Sequence, residues 1–327
     1  MNEITYMGRQ VFKTLRRSTP CALITTLDPW VEPVDARYLP AVQRLDLVFH
    51  DITTPCASLI LAQQEQAAQI AQFLRQTVLR GIDLICVCEV GMGRSAAIAA
   101  AAARLSGLSD AKTYEFVFKY GTYNRRLYKM VMQELGRAVP EEPKASVAVR
   151  VKYPPDRLQA FLLSLKRQRW TNWECVVVTD GPDRPAVRMA ESFKDDRITV
   201  IETPERKCRW GHPWRQRGIY ACTGDYLNLQ NDDNYLTPGF LEQMVMALEH
   251  HQADLCIGNL LHNYAGYRFT EQVVGNADLG SWMASRSLMR RVRWKGTDMI
   301  ADQRYLEAVV KQAKKVIQLP AGLFVHN

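Results

Sequence analysis

Apolar and polar positions alternate along this chain in two stretches that share one rhythm. In the first, compact apolar runs at 22–27, 45–49 and 84–88 predict strands. Longer runs at 63–79, 95–105 and 124–135, with apolar residues three and four apart, predict helices. In the second stretch 147–151, 175–179, 198–201 and 226–229 read as strands, because β-branched and aromatic side chains suit a pleated, half-buried surface. Helices fill the gaps, one opened by Pro155 and running to 168, another over 213–221; proline's fixed φ suits a first helical turn. Between the stretches, GRAVPEEPKA at 136–145 breaks the periodicity with two prolines and two glutamates. It predicts domains over 1–137 and 146–327 joined by a linker at 138–145. The expected fold class is α/β: two three-layer domains with mainly parallel sheets, whose ligands belong at the carboxyl ends of strands.

Composition narrows the classes. With 327 residues, 47% hydrophobic and 23% charged, the chain is long enough for two cores and has no low-complexity tract or repeat period. The first residues, MNEITYMGRQ, lack the apolar core of a signal peptide, and the longest apolar stretch, 96–103, is too short to span a bilayer. These features predict a soluble cytoplasmic protein with no membrane span. The eight cysteines are scattered without a CxxC pair, so reduced thiols are expected. The formal charge is +8, with 16 basic against 12 acidic residues in 1–140 and 26 against 22 in the remainder. Each part therefore carries +4 and there is no basic tail. That balance suits phosphate-bearing small substrates better than nucleic acid.

The most informative stretch is GDYLNLQNDDNYLTPGFLEQM, where a buried strand runs into Asn231, Asp232, Asp233 and Asn234 before a helix near Pro238. Adjacent carboxylates at the end of a central strand repel one another unless a cation is shared, and Mg²⁺ or Mn²⁺ suits oxygen ligands completed by substrate phosphates. The competing reading is an Asx turn that caps the following helix. Upstream, VVVTDG predicts a buried strand ending in Asp180 and Gly181, and SVAVRVKYPPDRLQAFLLSLKRQ a strand, a turn and an amphipathic helix.

In this order the blocks resemble glycosyltransferase family 2 domains with the GT-A fold, over 146–327. The resemblance implies transfer of a sugar from a nucleotide-diphosphate donor to an unidentified sugar or glycoconjugate acceptor. It implies donor contacts at Tyr153, Asp180, Arg215 in WRQRGIYACTGDYL, and Asp232, with Asp233 as principal metal ligand. GTDMIADQRYLEAV resembles the segment that delivers a catalytic base, here Asp302, although many members carry Glu-Asp where this chain has Ala301-Asp302. A base there, acting in one displacement, inverts the anomeric configuration. His326 in the final GLFVHN is implied as a further metal ligand, for which Mn²⁺ is better suited than Mg²⁺. Asp278 and Trp282, in NADLGSWMASRSL, resemble the acceptor-side block; for Trp282 the competing account is core packing.

In the first stretch, LICVCEVGMGRSAAIAAAAARL predicts a strand, a glycine-containing turn and an alanine-rich helix. The turn holds Cys88, then Glu89, Val90, Gly91, Met92 and Gly93, then Arg94 and Ser95. Backbone N–H groups of such a loop, together with a helix N-terminus, can wrap a phosphate and favour the nucleophilic thiolate of Cys88. Arg94 would grip two phosphate oxygens and Ser95 hydrogen-bond the thiolate. The pattern resembles the protein tyrosine and dual-specificity phosphatase superfamily over about 15–135, which implies Asp51 in VFHDITTP as the acid that protonates the leaving oxygen. Val87 stands where that superfamily usually has histidine.

The leading expectation is thus a bifunctional chain, a phosphatase-like domain acting on a phosphorylated substrate fused to a metal-dependent transferase. A hydrolase with a sugar-recognition module is one alternative. The other, a nucleic-acid module that glycosylates modified bases or binds phosphate backbones, rests on Arg206, Lys207, Arg209, Trp210, Trp214 and Arg215.

Overall fold

The computed structural model describes residues 3–37, 39–52, 59–109, 112–113, 123–139, 141–207, 212–263, 268–274 and 277–326. The chain forms two compact units, Met1–Glu141 and Glu142–Asn327.

The first unit is built on four parallel strands in the order β1-β4-β2-β3: β1 (Ile4–Gly8), β2 (Cys21–Leu27), β3 (Ala41–Val48) and β4 (Asp83–Cys88). Strand β1 goes beyond the sequence expectation. Its five residues, four of them half-buried, carry little apolar signal of their own and are ordered by pairing with β4. Helix α1 (Arg9–Phe12) follows β1, and α2 (Gln64–Thr77) begins with a capping box in which Gln63 and Gln66 satisfy each other's backbone N–H groups. Helix α3 (Arg94–Leu105) is buried at all but one of its positions, because its alanines let neighbouring elements approach closely. Helix α4 (Arg125–Glu134) is capped by the Asn124 side chain, which accepts from the Leu127 N–H.

The second unit contains β5 (Ala145–Arg150), α5 (Pro155–Lys166), β6 (Trp173–Val178), α6 (Arg184–Ser192), β7 (Ile198–Ile201), α7 (His212–Ala221) and β8 (Tyr226–Asn231). These are followed by β9 (Tyr235–Leu236), α8 (Phe240–His251), β10 (Leu255–His262), β11 (Arg268–Thr270), β12 (Trp282–Ser285), α9 (Arg286–Arg291), α10 (Ala301–Gln312) and β13 (Val316–His326). One sheet runs β7-β6-β5-β8-β12-β10-β13-β9, with β11 on β10. The expectation of a mainly parallel sheet holds from β7 to β8 and again between β10 and β13; β12 is antiparallel to both β8 and β10, and β9 to β13. Parallel neighbours need a long crossover, whereas β10 reaches β12 without an α-helix between them.

The second unit begins inside the stretch expected as a linker. The carbonyls of Glu142 and Pro143 accept from Asn172 and from the Trp170 indole, and Ala145 opens β5. Glu174 on β6 then ties three segments together, accepting from Lys144, the Ser146 hydroxyl at 2.6 Å, and Thr223. Burial alone would push its carboxyl up, but these donors outweigh burial and bring it down to about 2. Its folded-state pKa therefore lies below the unfolded value. The stabilisation it contributes is complete above the ordinary glutamate range and is lost as pH falls toward 2. Acid unfolding followed by circular dichroism should show this loss, and Glu174→Gln should flatten that part of the profile.

Candidate functional site

Strands β5 and β8 lie side by side with Arg150 opposite Asn231, so their carboxyl ends open onto one edge. Asp232, just past β8, is fully buried, and its Oδ2 accepts from the N–H groups of Lys152 at 3.0 Å and Tyr153 at 2.9 Å. Its Oδ1 is buried without a hydrogen-bond partner. Burial pushes this carboxyl up, against the two backbone donors and Arg150, which pull it down. Asp233 beside it is 7% exposed. Neither caps α8, whose N-cap is Gly239 with no side-chain bond, so the capping alternative does not describe this doublet.

Two buried arginines lie beside the doublet. Arg150, a residue the sequence reading passed over, is buried in the field of Asp232 and Asp233, and its Nη2 donates to Asn231 Oδ1 at 3.2 Å. A lone arginine inside the otherwise apolar run VAVRV was the available signal. Arg215 on α7 donates to the same Asn231 oxygen at 2.6 Å and lies over the Trp294 ring. Burial and the like charge of Arg150 bring Arg215 down to about 9, opposed by Asp302, Asp278 and Asp232, so it stays cationic at neutral pH. Beneath the edge, a fully buried ladder joins Asn228 to the Trp282 carbonyl at 2.6 Å, Gln230 to Asn228 at 2.8 Å and Asn234 to Gln230 at 2.8 Å. These bonds link β8 to the doublet's loop and to β12, although Asn234 Oδ1 is buried without a partner.

Asp180 follows β6, and its Oδ1 accepts from the Lys207 N–H at 2.9 Å and the Trp214 indole at 3.1 Å. Gly181, at φ +92°, leaves room for the backbone of Arg206; a side chain there would meet that backbone and strain the turn. The Lys207 ammonium lies 4.6 Å from the Trp214 ring centre. These basic and aromatic residues frame Asp180 instead of forming a strip for a nucleic-acid strand. Arg209 and Trp210 lie outside the described residues.

A cavity of about 360 Å³ brings together Asp278, Asp302 and His326, with His262, Glu271 and Gln272 in its wall. Asp278 Oδ2 is 3.4 Å from His326 Nδ1, and its Oδ1 accepts from the Gly280 N–H at 2.8 Å. Asp302 sits half-buried in the first turn of α10, but the N-cap is Ile300; among the described residues Asp302 Oδ1 accepts from the next residue's N–H, at 2.9 Å. Val325 pairs with Tyr235, which carries the end of β13, and His326 with it, to the strand that follows the doublet. Among the described residues no group of three or more His, Cys, Asp or Glu is set to hold a metal. The two adjacent carboxylates, one with an unpartnered inward oxygen, still suit a hard divalent ion whose remaining ligands are substrate phosphates.

Trp282 requires a correction. Its side chain is fully buried in the core with Tyr305, ring centres 6.2 Å apart, so it cannot touch an acceptor. An indole in an apolar run is drawn inward by its large surface.

In the first unit, β4 ends at Cys88 and α3 begins at Arg94. Cys88 Sγ accepts from the Gly91 N–H at 3.1 Å and lies 3.1 Å from the Ser95 hydroxyl. Glu89, Val90, Gly91, Met92 and Gly93 form the turn; Gly91 has φ +88° and packs on the backbone of Gly8 too closely for any side chain. A Cβ on Gly93 would overlap the Asp51 carboxylate, which is itself held by Asn124 Nδ2 at 2.8 Å. Arg94 is not splayed toward solvent. It is 2% exposed, donates to the Phe49 carbonyl and to Asp28 Oδ1 at 3.0 Å, and keeps Nε buried without a partner.

The profile of glycosyl transferase family 2 matches residues 146–309, half of the chain. The chain belongs to glycosyltransferase family 2. The match lies wholly within the second unit, which has the α/β architecture of a GT-A-like domain. Among similar sequences, the uncharacterized glycosyltransferase EpsJ of Bacillus subtilis (strain 168) is 24% identical over an alignment covering 57% of this chain and 61% of its own. The glycosyltransferase GlyA of Streptococcus pneumoniae serotype 4 is 27% identical, over 36% of this chain and 17% of its own. The crystal structure of S. aureus TarS residues 1–349 shares the fold at a TM-score of 0.50 and 16% identity, covering 56% of this chain and 60% of that one. The chain thus spans less than two thirds of the length of the relatives it matches. Among the described residues no helix is long and apolar enough to cross a membrane.

Proposed function

We propose that the second unit transfers a sugar from a nucleotide-diphosphate donor to a sugar or glycoconjugate acceptor, with inversion and with a divalent cation, Mn²⁺ or Mg²⁺. The observation that carries this reading is the doublet at the end of β8, with a buried, unpartnered oxygen on Asp232 and two buried arginines beside it. Asp233, with Asp232 behind it and His326 nearby, would hold the cation. When bound, the ion supplies neutralisation of charge on the departing diphosphate. Arg150 and Arg215 add fixed positive charge on the same side, already desolvated and so strongly felt. Tyr153 and Asp180 border the nucleotide. Asp302 takes the proton of the acceptor hydroxyl as that oxygen bonds to the anomeric carbon and the bond to the diphosphate breaks. Asp278 orients the acceptor in the same cavity.

A thermal-shift series tests the reading, since a ligand selective for the folded state raises its apparent stability, by about 2.7 kcal/mol at a hundredfold excess over Kd. Uridine or guanosine diphosphate with Mn²⁺ should raise the transition temperature more than either component alone. No shift with any nucleoside diphosphate removes the reading, and a product that retains the donor's anomeric sense removes the inverting step.

The geometry around Cys88 supports a second activity in the first unit, cleavage of a phosphate monoester. The sulfur accepts from the Gly91 N–H and lies within hydrogen-bond distance of the Ser95 hydroxyl, and Arg94 Nε is a buried donor without a partner. Cys88 would attack phosphorus while Asp51 protonates the departing oxygen, and water would then release phosphate from sulfur. Hydrolysis of p-nitrophenyl phosphate by the full chain, reduced to background by Cys88→Ser and left intact by Asp233→Ala, is the expected result. Equal rates for wild type and Cys88→Ser remove this activity.

A further inference from the structure

A second cavity, of about 440 Å³, lies across α10 from the one that holds Asp302. Asp302 and Gln303 face the first cavity, while Arg304, Tyr305 and Ala308 of the same helix line the second. Its other wall is the end of α9 and the segment that follows it, which contribute Arg291, Arg293 and Lys295. No carboxylate belongs to the lining. Arg304 pairs with Asp298, but among the described residues Arg291, Arg293 and Lys295 have no acidic partner. Gly296, at φ +89°, brings the loop so close to the Arg304 guanidinium that a Cβ there would lie 2.8 Å from it.

The charge is concentrated as well as unpaired. Residues 286–304 hold six Arg or Lys against two Asp, a net +4 in a chain whose total is +8. Arg291, Arg293 and Lys295, without an acidic partner among the described residues, repel each other around one hollow, and the conformation gains when an anion enters. The volume is within the range of roughly 300 to 1,000 Å³ typical of small-molecule sites, and the floor of Val292, Tyr305 and Ala308 is apolar. A hollow of this size suits a discrete group better than a duplex or a bilayer surface, which a flat basic face would serve.

We propose that this cavity binds a phosphate-bearing sugar or polyol, its phosphate held by Arg291, Arg293 and Arg304 and its carbon frame resting on Tyr305 and Ala308. Arginine forks pair with phosphate oxygens in bidentate fashion. The proposal does not rest on the transfer reading.

Arginine modification by phenylglyoxal, mapped by peptide mass spectrometry on the full chain at low salt, tests it residue by residue. Glycerol 3-phosphate should protect Arg291, Arg293 and Arg304, while glycerol should not; protection of Arg94 reports separately on the loop after β4. The double variant Arg291→Gln/Arg293→Gln should bind glycerol 3-phosphate at least about tenfold more weakly at this site, the loss expected from one charge-assisted hydrogen bond, whereas Asp233→Ala should bind it unchanged. Equal modification with and without glycerol 3-phosphate overturns the proposal. So does protection by duplex DNA or phosphatidylglycerol vesicles when the small phosphate gives none.

Discussion

Asp302→Asn should lower kcat for sugar transfer by about 10² to 10⁴, the usual contribution of a positioned general base, with little change in donor affinity. The reasoning is geometric. Asp302 lines the cavity with Asp278 and His326 and caps nothing except the adjacent N–H, so its carboxylate is available to an incoming hydroxyl. Asparagine keeps the shape and the hydrogen bond to Gln303 but cannot take a proton at neutral pH. Steady-state kinetics with saturating donor would read the fall in kcat, and the thermal shift with nucleoside diphosphate and Mn²⁺ should persist. A variant that keeps wild-type kcat would assign the proton to another group.

Asp233→Ala should have the opposite signature. Losing a partner that merely supports a metal ligand costs about 10- to 100-fold in affinity, and losing a ligand itself should cost more. The Mn²⁺-dependent part of the donor thermal shift should vanish, and transfer with it. The fold should survive, because the ladder from Asn228 through Gln230 to Asn234 holds the loop without Asp233. Undiminished Mn²⁺-dependent stabilisation in this variant would show that the ion, if bound, is held elsewhere.

Much of what places these residues was legible along the chain. Apolar runs ending in Asp180, in Asn231 through Asn234 and in Cys88 put chemistry-bearing groups where strands stop, and the structure has β6, β8 and β4 ending at those places. Trp282 was misplaced for a physical reason: neighbours in sequence say little about which face of a short strand turns inward. Arg150 was overlooked because a charge inside an apolar run has no meaning until its neighbour is known, and that neighbour, Asn231, comes 81 residues later.

The sequence alone determined the alternation of strands and helices, the chemistry waiting at strand ends and the family to which the second unit belongs, because each is carried by short runs of adjacent residues. Only the tertiary structure decided that Asp278, Asp302 and His326 share one cavity, that Arg150 and Arg215 both bind Asn231, and that the sheet turns antiparallel at β12. These are pairings between distant segments. Hydrophobic periodicity reports that a residue is buried, whereas strand order and register decide what it is buried against.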